Sequence, residues 1–179
     1  MASSDSATLV LARSTAVVGL GIATGLMIGL PAWTWPALYR PDSNLKPEHR
    51  LGIFVKVYNQ GKTTMMSTIP VITALLGYSA VAAKAPVEYL PANFVSRHRK
   101  AFLAASAASA LGFIAWTGAM MMGLNNQLMK LEQENRASGT TVTAKDDELV
   151  QKKWLGLHLV RCALGSTAFV LAVAELALA

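Results

Sequence analysis

Four long apolar blocks, residues 9–36, 52–83, 101–124 and 154–178, constrain this chain more than any other feature. A helix needs about 20 apolar residues to span the hydrocarbon core of a bilayer, and each block reaches that length. Most of the charges lie between the blocks. Composition agrees with this distribution: 53% of residues are hydrophobic and 15% charged, against about 25% charged in soluble domains. Mean hydropathy is +0.40. The reading is an all-α fold, a single domain over residues 1–179, built as an integral membrane bundle of four transmembrane helices.

The net charge of +6 raises nucleic acid as a partner. However, the Lys and Arg residues flank apolar blocks and form no basic stripe with interleaved aromatics. Such flanks suit lipid headgroups, so the expected partners are membrane lipids and not nucleic acid. The single cysteine, Cys162, permits no internal disulfide and no thiolate metal cluster. The first residues, Met1 to Thr8, lack a basic n-region, and the apolar run after them is too long for a signal peptide, so it reads as a retained helix. Four spans put both termini on one face, and the dense basic loop 84–100 favours the cytoplasmic side for them. For a eukaryotic source the expected location is the endoplasmic reticulum or another endomembrane.

Within the blocks, small residues mark expected contact faces, because helices in lipid associate by close packing. Gly21, Gly25 and Gly29 repeat G-x-x-x-G in the first block, and Ala104, Ala108 and Gly112 share one stripe of the third. Such faces serve equally within one chain or between copies in a homo-oligomer. Arg13 is close enough to the block's end to snorkel. Pro31 and Pro36 flank Trp33 and Trp35, with Tyr39 beyond, which reads as the interfacial exit of the first span. Residues 51–62 form an amphipathic lead into the second span, which Pro70 should kink. The loop 125–153 carries most of the acidic residues, and its polar middle, 138–144, is expected to be mobile.

Chemistry concentrates in the second half. Trp154, His158 and Arg161 fall at i, i+4 and i+7, on one helix face. An ionisable group inside an apolar block costs at least a few kcal/mol unless it faces a polar interior. His158 and Arg161 therefore point into the bundle, either as functional groups or as a structural knot, unless the helix starts lower and both lie at the interface. Asn125 and Asn126 are read as ending the third span, where two amides hold a ligand oxygen or cap the helix. Thr117 lies two turns earlier. On the second helix Lys56, Asn59 and Thr63 form one stripe and Tyr58, Lys62 and Met65 another; the lysines read as a solvated, snorkelling face.

Other classes leave no trace. His49, His98 and His158 are scattered, without the H-x-x-x-H spacing or neighbouring carboxylates of a non-haem metal site, so no metal is expected. There is no G-x-S-x-G, no C-x-x-C and no nucleotide-binding glycine loop. Glu175 is the one acidic residue within a span, near its end, which argues against ion pumping.

The segment at residues 117–128, TGAMMMGLNNQL, followed by Trp154-x-x-x-His158-x-x-Arg161, resembles the anthrone oxygenase family of small four-helix membrane proteins. The resemblance covers the whole layout and is specific in the second half. The family's Asn falls on Asn125, with Asn126 adjacent, and its Trp, His and Arg fall on Trp154, His158 and Arg161. Gly123 and Leu124 stand where the family usually has Pro-Thr, a departure that could alter the pocket floor. The resemblance implies oxidation of an anthrone-like aromatic polyketide to a quinone, with O2 as co-substrate and no cofactor. It implies His158 as base, Arg161 or Asn125 as the oxyanion's partner, and Trp154 and Tyr58 stacked on a planar, lipophilic substrate. Asn59, Asn126 and Thr117 complete the expected substrate contacts. Two other readings stand beside it: a membrane enzyme of the same scaffold doing acid–base chemistry, such as a cyclase or isomerase, and a non-catalytic membrane scaffold.

Overall fold

A computed structural model of the protein describes residues 5–40, 43–84 and 93–178. Pro41 of the first loop and residues 85–92 of the second lie outside the described residues. Four helices are each long and apolar enough to cross a membrane: α1 (Ala7–Leu38), α2 (Pro47–Ala82), α3 (Arg99–Ser138) and α4 (Ala144–Leu178). No strand occurs among the described residues, and the protein is an all-α, multi-pass membrane bundle. Lipid dictates this outcome, since a spanning backbone must satisfy its own hydrogen bonds. The helix ends follow local chemistry. Ser6 Oγ accepts from the Leu9 amide at 3.2 Å, Thr143 and Asp146 form a capping box at the start of α4, and Gly139, at φ 69°, closes α3 in the left-handed region that favours glycine.

The helices outrun the apolar blocks, which corrects three expectations. Asn125 and Asn126 do not end the third helix, which continues to Ser138. The fourth begins at Ala144, well before Trp154. The long loop 125–153 shrinks to residues 139–143, where the Thr140 carbonyl accepts from Asn135 Nδ2 at 2.6 Å and Val142 is buried. Polarity shows where lipid ends, not where a helix ends. Beyond Asn126 the helix buries Leu128 and Glu132 and gains a little from i,i+4 pairs such as Lys130–Glu134 and Glu132–Arg136.

The chain divides into two compact units, each taking a segment of every long helix. The first comprises Met1–Gly25, Ser67–Ile114 and Ala163–Ala179. Small residues let its helices approach: Ala16, Ala110, Ala168 and Ala172 are buried, and Ser106 Oγ donates to the Ala168 carbonyl at 2.7 Å. The expected stripes are only partly used. A Cβ on Gly21 would meet Phe169 Cε2 at 3.1 Å, whereas Gly25 has nothing within 4 Å and Gly29 faces Trp33 of its own helix. On α3, Ala104 and Ala108 are exposed, and the buried face is Leu103, Ser106, Ala107, Ala110 and Phe113. The bulky Leu103 and Phe113 define that face, a preference a stripe of small residues does not record.

Arg13 does not snorkel. It is buried and bonds Asp5 at 2.9 Å and Glu175 at 2.6 Å, while Arg99 bonds the same carboxylates at 2.6 and 3.0 Å. Two arginines and two acids thus balance in a closed set around Glu175, which is fully buried. Burial of any one of these charges alone would cost several kcal/mol. The Asp5 carboxyl is held below the ordinary aspartate range, chiefly by its bond to Arg99 and against the opposing effect of burial.

Candidate active site

The second unit, Leu26–Met66 with Ala115–Cys162, holds the aromatic core and every residue expected to carry chemistry. Three of its helical segments widen into π turns: Leu30–Thr34, Thr117–Met121 and Leu149–Trp154. One extra residue per π turn rotates the downstream side chains by about 100° relative to a regular helix. Trp35 comes directly after the first π turn, and Met121 and Trp154 end the other two; all three are buried. Such turns are rare and are frequent at functional sites.

The aromatic rings interlock. Trp154 stacks on Trp35 at 5.1 Å and on the His158 imidazole at 4.7 Å. Phe54 meets both indoles edge-on, at 6.0 and 5.1 Å, and stacks on Tyr58 at 6.0 Å. Trp154 is 2% exposed. Its ring is therefore engaged by its neighbours and is no open platform for a substrate ring.

Polar atoms thread this core with defined directions. Trp154 Nε1 donates to Asn125 Oδ1 at 2.8 Å. An indole N–H can only donate, so the carboxamide must turn its oxygen toward it, leaving Nδ2 on the other side. Asn125 is fully buried, and its Nδ2 makes no hydrogen bond among the described residues. The Tyr58 hydroxyl lies close to this carboxamide and to the Arg161 guanidinium, without meeting Nδ2 in bonding geometry. Arg161 Nη1 contacts Met121 Sδ at 3.7 Å.

His158 is equally specific. It is 1% exposed, and its Nε2 lies 3.0 Å from the Met27 carbonyl oxygen. A carbonyl only accepts, so in the neutral ring Nε2 carries the proton and Nδ1 keeps a lone pair. Nδ1 is buried and makes no hydrogen bond among the described residues. A buried ring nitrogen with a free lone pair can take a proton from a ligand, and a buried amide N–H can donate to an oxygen.

Asn125, Trp154, His158, Arg161 and Tyr58 are thus buried in one unit. The remaining expected residues are not part of this core. Asn59 and Asn126 are exposed, each one helical step of about 100° beyond a buried neighbour, Tyr58 and Asn125. Thr117 is half-buried in the second π turn. Lys56 and Lys62 are exposed, in accord with a solvated face. The core also uses residues that sequence patterns did not single out: Phe54, Met121 and the Met27 carbonyl. Trp35, read as interfacial, is buried, while Trp33 is the exposed indole.

A clasp holds the start of α4 next to this core. Arg50 Nη1 bonds Asp147 Oδ2 at 2.8 Å and its guanidinium lies 5.3 Å from the Tyr39 ring centroid. Burial, reinforced by Asp147, pushes the Tyr39 phenol well above its ordinary range, so it stays a neutral donor. Among the described residues no three His, Cys, Asp or Glu side chains gather as a metal-ligand set.

Fold and site together define a multi-pass helical membrane protein with a buried aromatic and polar core, in which imidazole, carboxamide and guanidinium share one unit. A family model described as "Anthrone oxygenase" matches residues 54–171, more than half of the chain. The protein belongs to the anthrone oxygenase family, and that membership supports an oxygenase-like function. No curated protein and no solved structure matches the chain.

Proposed function

We propose that the protein is a cofactor-independent oxygenase that converts an anthrone-like aromatic polyketide to the corresponding quinone with O2. The observation that supports this reading is His158: Nε2 is committed to the Met27 carbonyl, and Nδ1 is a buried lone pair without a hydrogen-bond partner among the described residues. An anthrone carries an acidic methylene, and His158 Nδ1 removes one of its protons to give an electron-rich anthranolate. Asn125 Nδ2 and the Arg161 guanidinium stabilise the developing oxyanion. The anthranolate passes one electron to O2, and the radical pair combines at carbon. The imidazolium returns its proton to make the hydroperoxide. Loss of the remaining C–H proton and heterolysis of the O–O bond then give the ketone and one water. The substrate itself activates oxygen, so the protein supplies a base, an oxyanion donor and a dry site. A lipophilic polycycle partitions into the bilayer and reaches a membrane bundle there, which accords with an endomembrane location in a eukaryotic cell.

The test is oxygen uptake by detergent-purified, chelator-treated protein with emodin anthrone, against a protein-free control for autoxidation. Uptake well above control with quinone formed is the expected result. Folded protein that accelerates nothing sinks the reading and moves weight to a cyclase, an isomerase or a scaffold.

A further inference from the structure

Pro31 stands four residues after Met27 in α1. In an α-helix the amide of residue 31 would donate to the carbonyl of residue 27, and proline has no amide hydrogen. The Met27 carbonyl therefore loses its regular partner inside the helix. It is this carbonyl that accepts from His158 Nε2 at 3.0 Å, with Met27 and His158 both buried. Pro31 also lies in the π turn Leu30–Thr34, where the regular ladder is already interrupted.

We propose that Pro31 is a positioning residue for the base: by withholding an N–H, it frees the Met27 carbonyl to hold His158 as the Nε2–H tautomer, with its Nδ1 lone pair open. This rests on the reading of His158 as the base. The physical steps are short. A carbonyl drawn along the helix axis by an amide points less toward a neighbouring helix. One without that amide can tilt outward, and a buried carbonyl needs some donor. The imidazole is the donor supplied, and the bond decides which nitrogen is bare. When Nδ1 takes a proton, the same carbonyl dipole faces the imidazolium and stabilises it, as an outer partner orients a catalytic histidine in general.

The consequence runs against ordinary helix propensity. Pro31→Ala should make α1 more regular and the protein at least as stable, since proline in a helix interior is costly. Yet it restores an amide that competes for the Met27 carbonyl. Nitrogen-15 NMR of the protein with labelled histidine, assigned with His158→Gln, reads the tautomer directly and independently of turnover. The wild type should show the Nε2–H form, and Pro31→Ala a mixture of both forms. With emodin anthrone, kcat should fall on the order of ten-fold, the scale of one lost hydrogen bond, with KM within about two-fold. A second variant carries an α-hydroxy acid with the alanine side chain at position 31, an ester link that again has no N–H. It should restore both the tautomer and kcat.

An unchanged tautomer in Pro31→Ala overturns the proposal, and so does an ester variant that behaves like Pro31→Ala, since ring shape rather than the missing amide would then matter. If the wild type turns over no anthrone, the oxygenase reading fails by itself. The tautomer spectra still decide whether Pro31 sets the ring.

Discussion

Trp154 donates its indole N–H to Asn125 Oδ1 at 2.8 Å, and this bond settles which end of the carboxamide is open. Trp154→Phe keeps an aromatic ring against Trp35 and His158 but removes the donor. Its expected effect is a kcat loss on the order of ten-fold, because the amide is no longer held in one orientation. Asn125→Ala should cost on the order of 10²-fold, as for loss of one oxyanion donor. The double variant should be no slower than Asn125→Ala, since the indole acts through the amide. Independent, multiplying losses in a double-mutant cycle would show that Trp154 does not act that way.

His158→Ala should remain folded and lose about 10²–10⁴-fold in kcat, the usual range for a general base. Circular dichroism and size-exclusion profiles in detergent check the fold, and oxygen uptake checks the rate. A variant that loses stability without any change in turnover fits a packing role for His158 instead.

Glu175→Gln should be strongly destabilising. It leaves Arg13 and Arg99 with Asp5 alone, although both arginines now bond Glu175 as well. Removing one member of a buried charge set costs roughly 3–5 kcal/mol, because an uncompensated charge remains. Thermal unfolding in detergent reads the change, and a shift within error would mean that water reaches the arginines.

Acid sensitivity should appear at the same place. The folded-state pKa of Asp5 lies below its ordinary value. Its contribution to stability is therefore fully present above the ordinary aspartate range, about pH 4, and is lost as the pH falls through the depressed folded value. Melting temperature followed from pH 6 downward should fall less steeply for Asp5→Asn than for the wild type. Parallel curves would assign the acid limb to other carboxylates.

The glycines of α1 should separate cleanly. Gly25→Ala meets nothing within 4 Å and should be neutral or stabilising by up to about 1 kcal/mol through helix propensity. Gly21→Ala would press on Phe169 Cε2 at 3.1 Å, so the ring must give way. Comparison of the two melting temperatures is the check; equal effects would mean that Phe169 shifts freely.

Apolar runs of about 20 residues are enough to make the chain helical and carry it across a membrane several times, because such runs have few other options in lipid. Residue chemistry alone marks which side chains are costly in an apolar interior, so His158, Arg161, Asn125 and Trp154 stand out. Periodicity placed Trp154, His158 and Arg161 on one face of a single helix. What meets that face depends on how the other helices pack. Trp35, Phe54 and the Met27 carbonyl come from other helices, and three π turns set the rotation at which Trp35, Met121 and Trp154 arrive. No local rule counts an extra residue in a helix turn. The same limit explains the small-residue stripes. Gly25, Ala104 and Ala108 have the spacing of a contact face but are exposed within the chain, because which side of a helix is buried there depends on its neighbours. It also explains Arg13, whose burial is tolerable only because Glu175, distant in sequence, is folded against it beside the nearby Asp5.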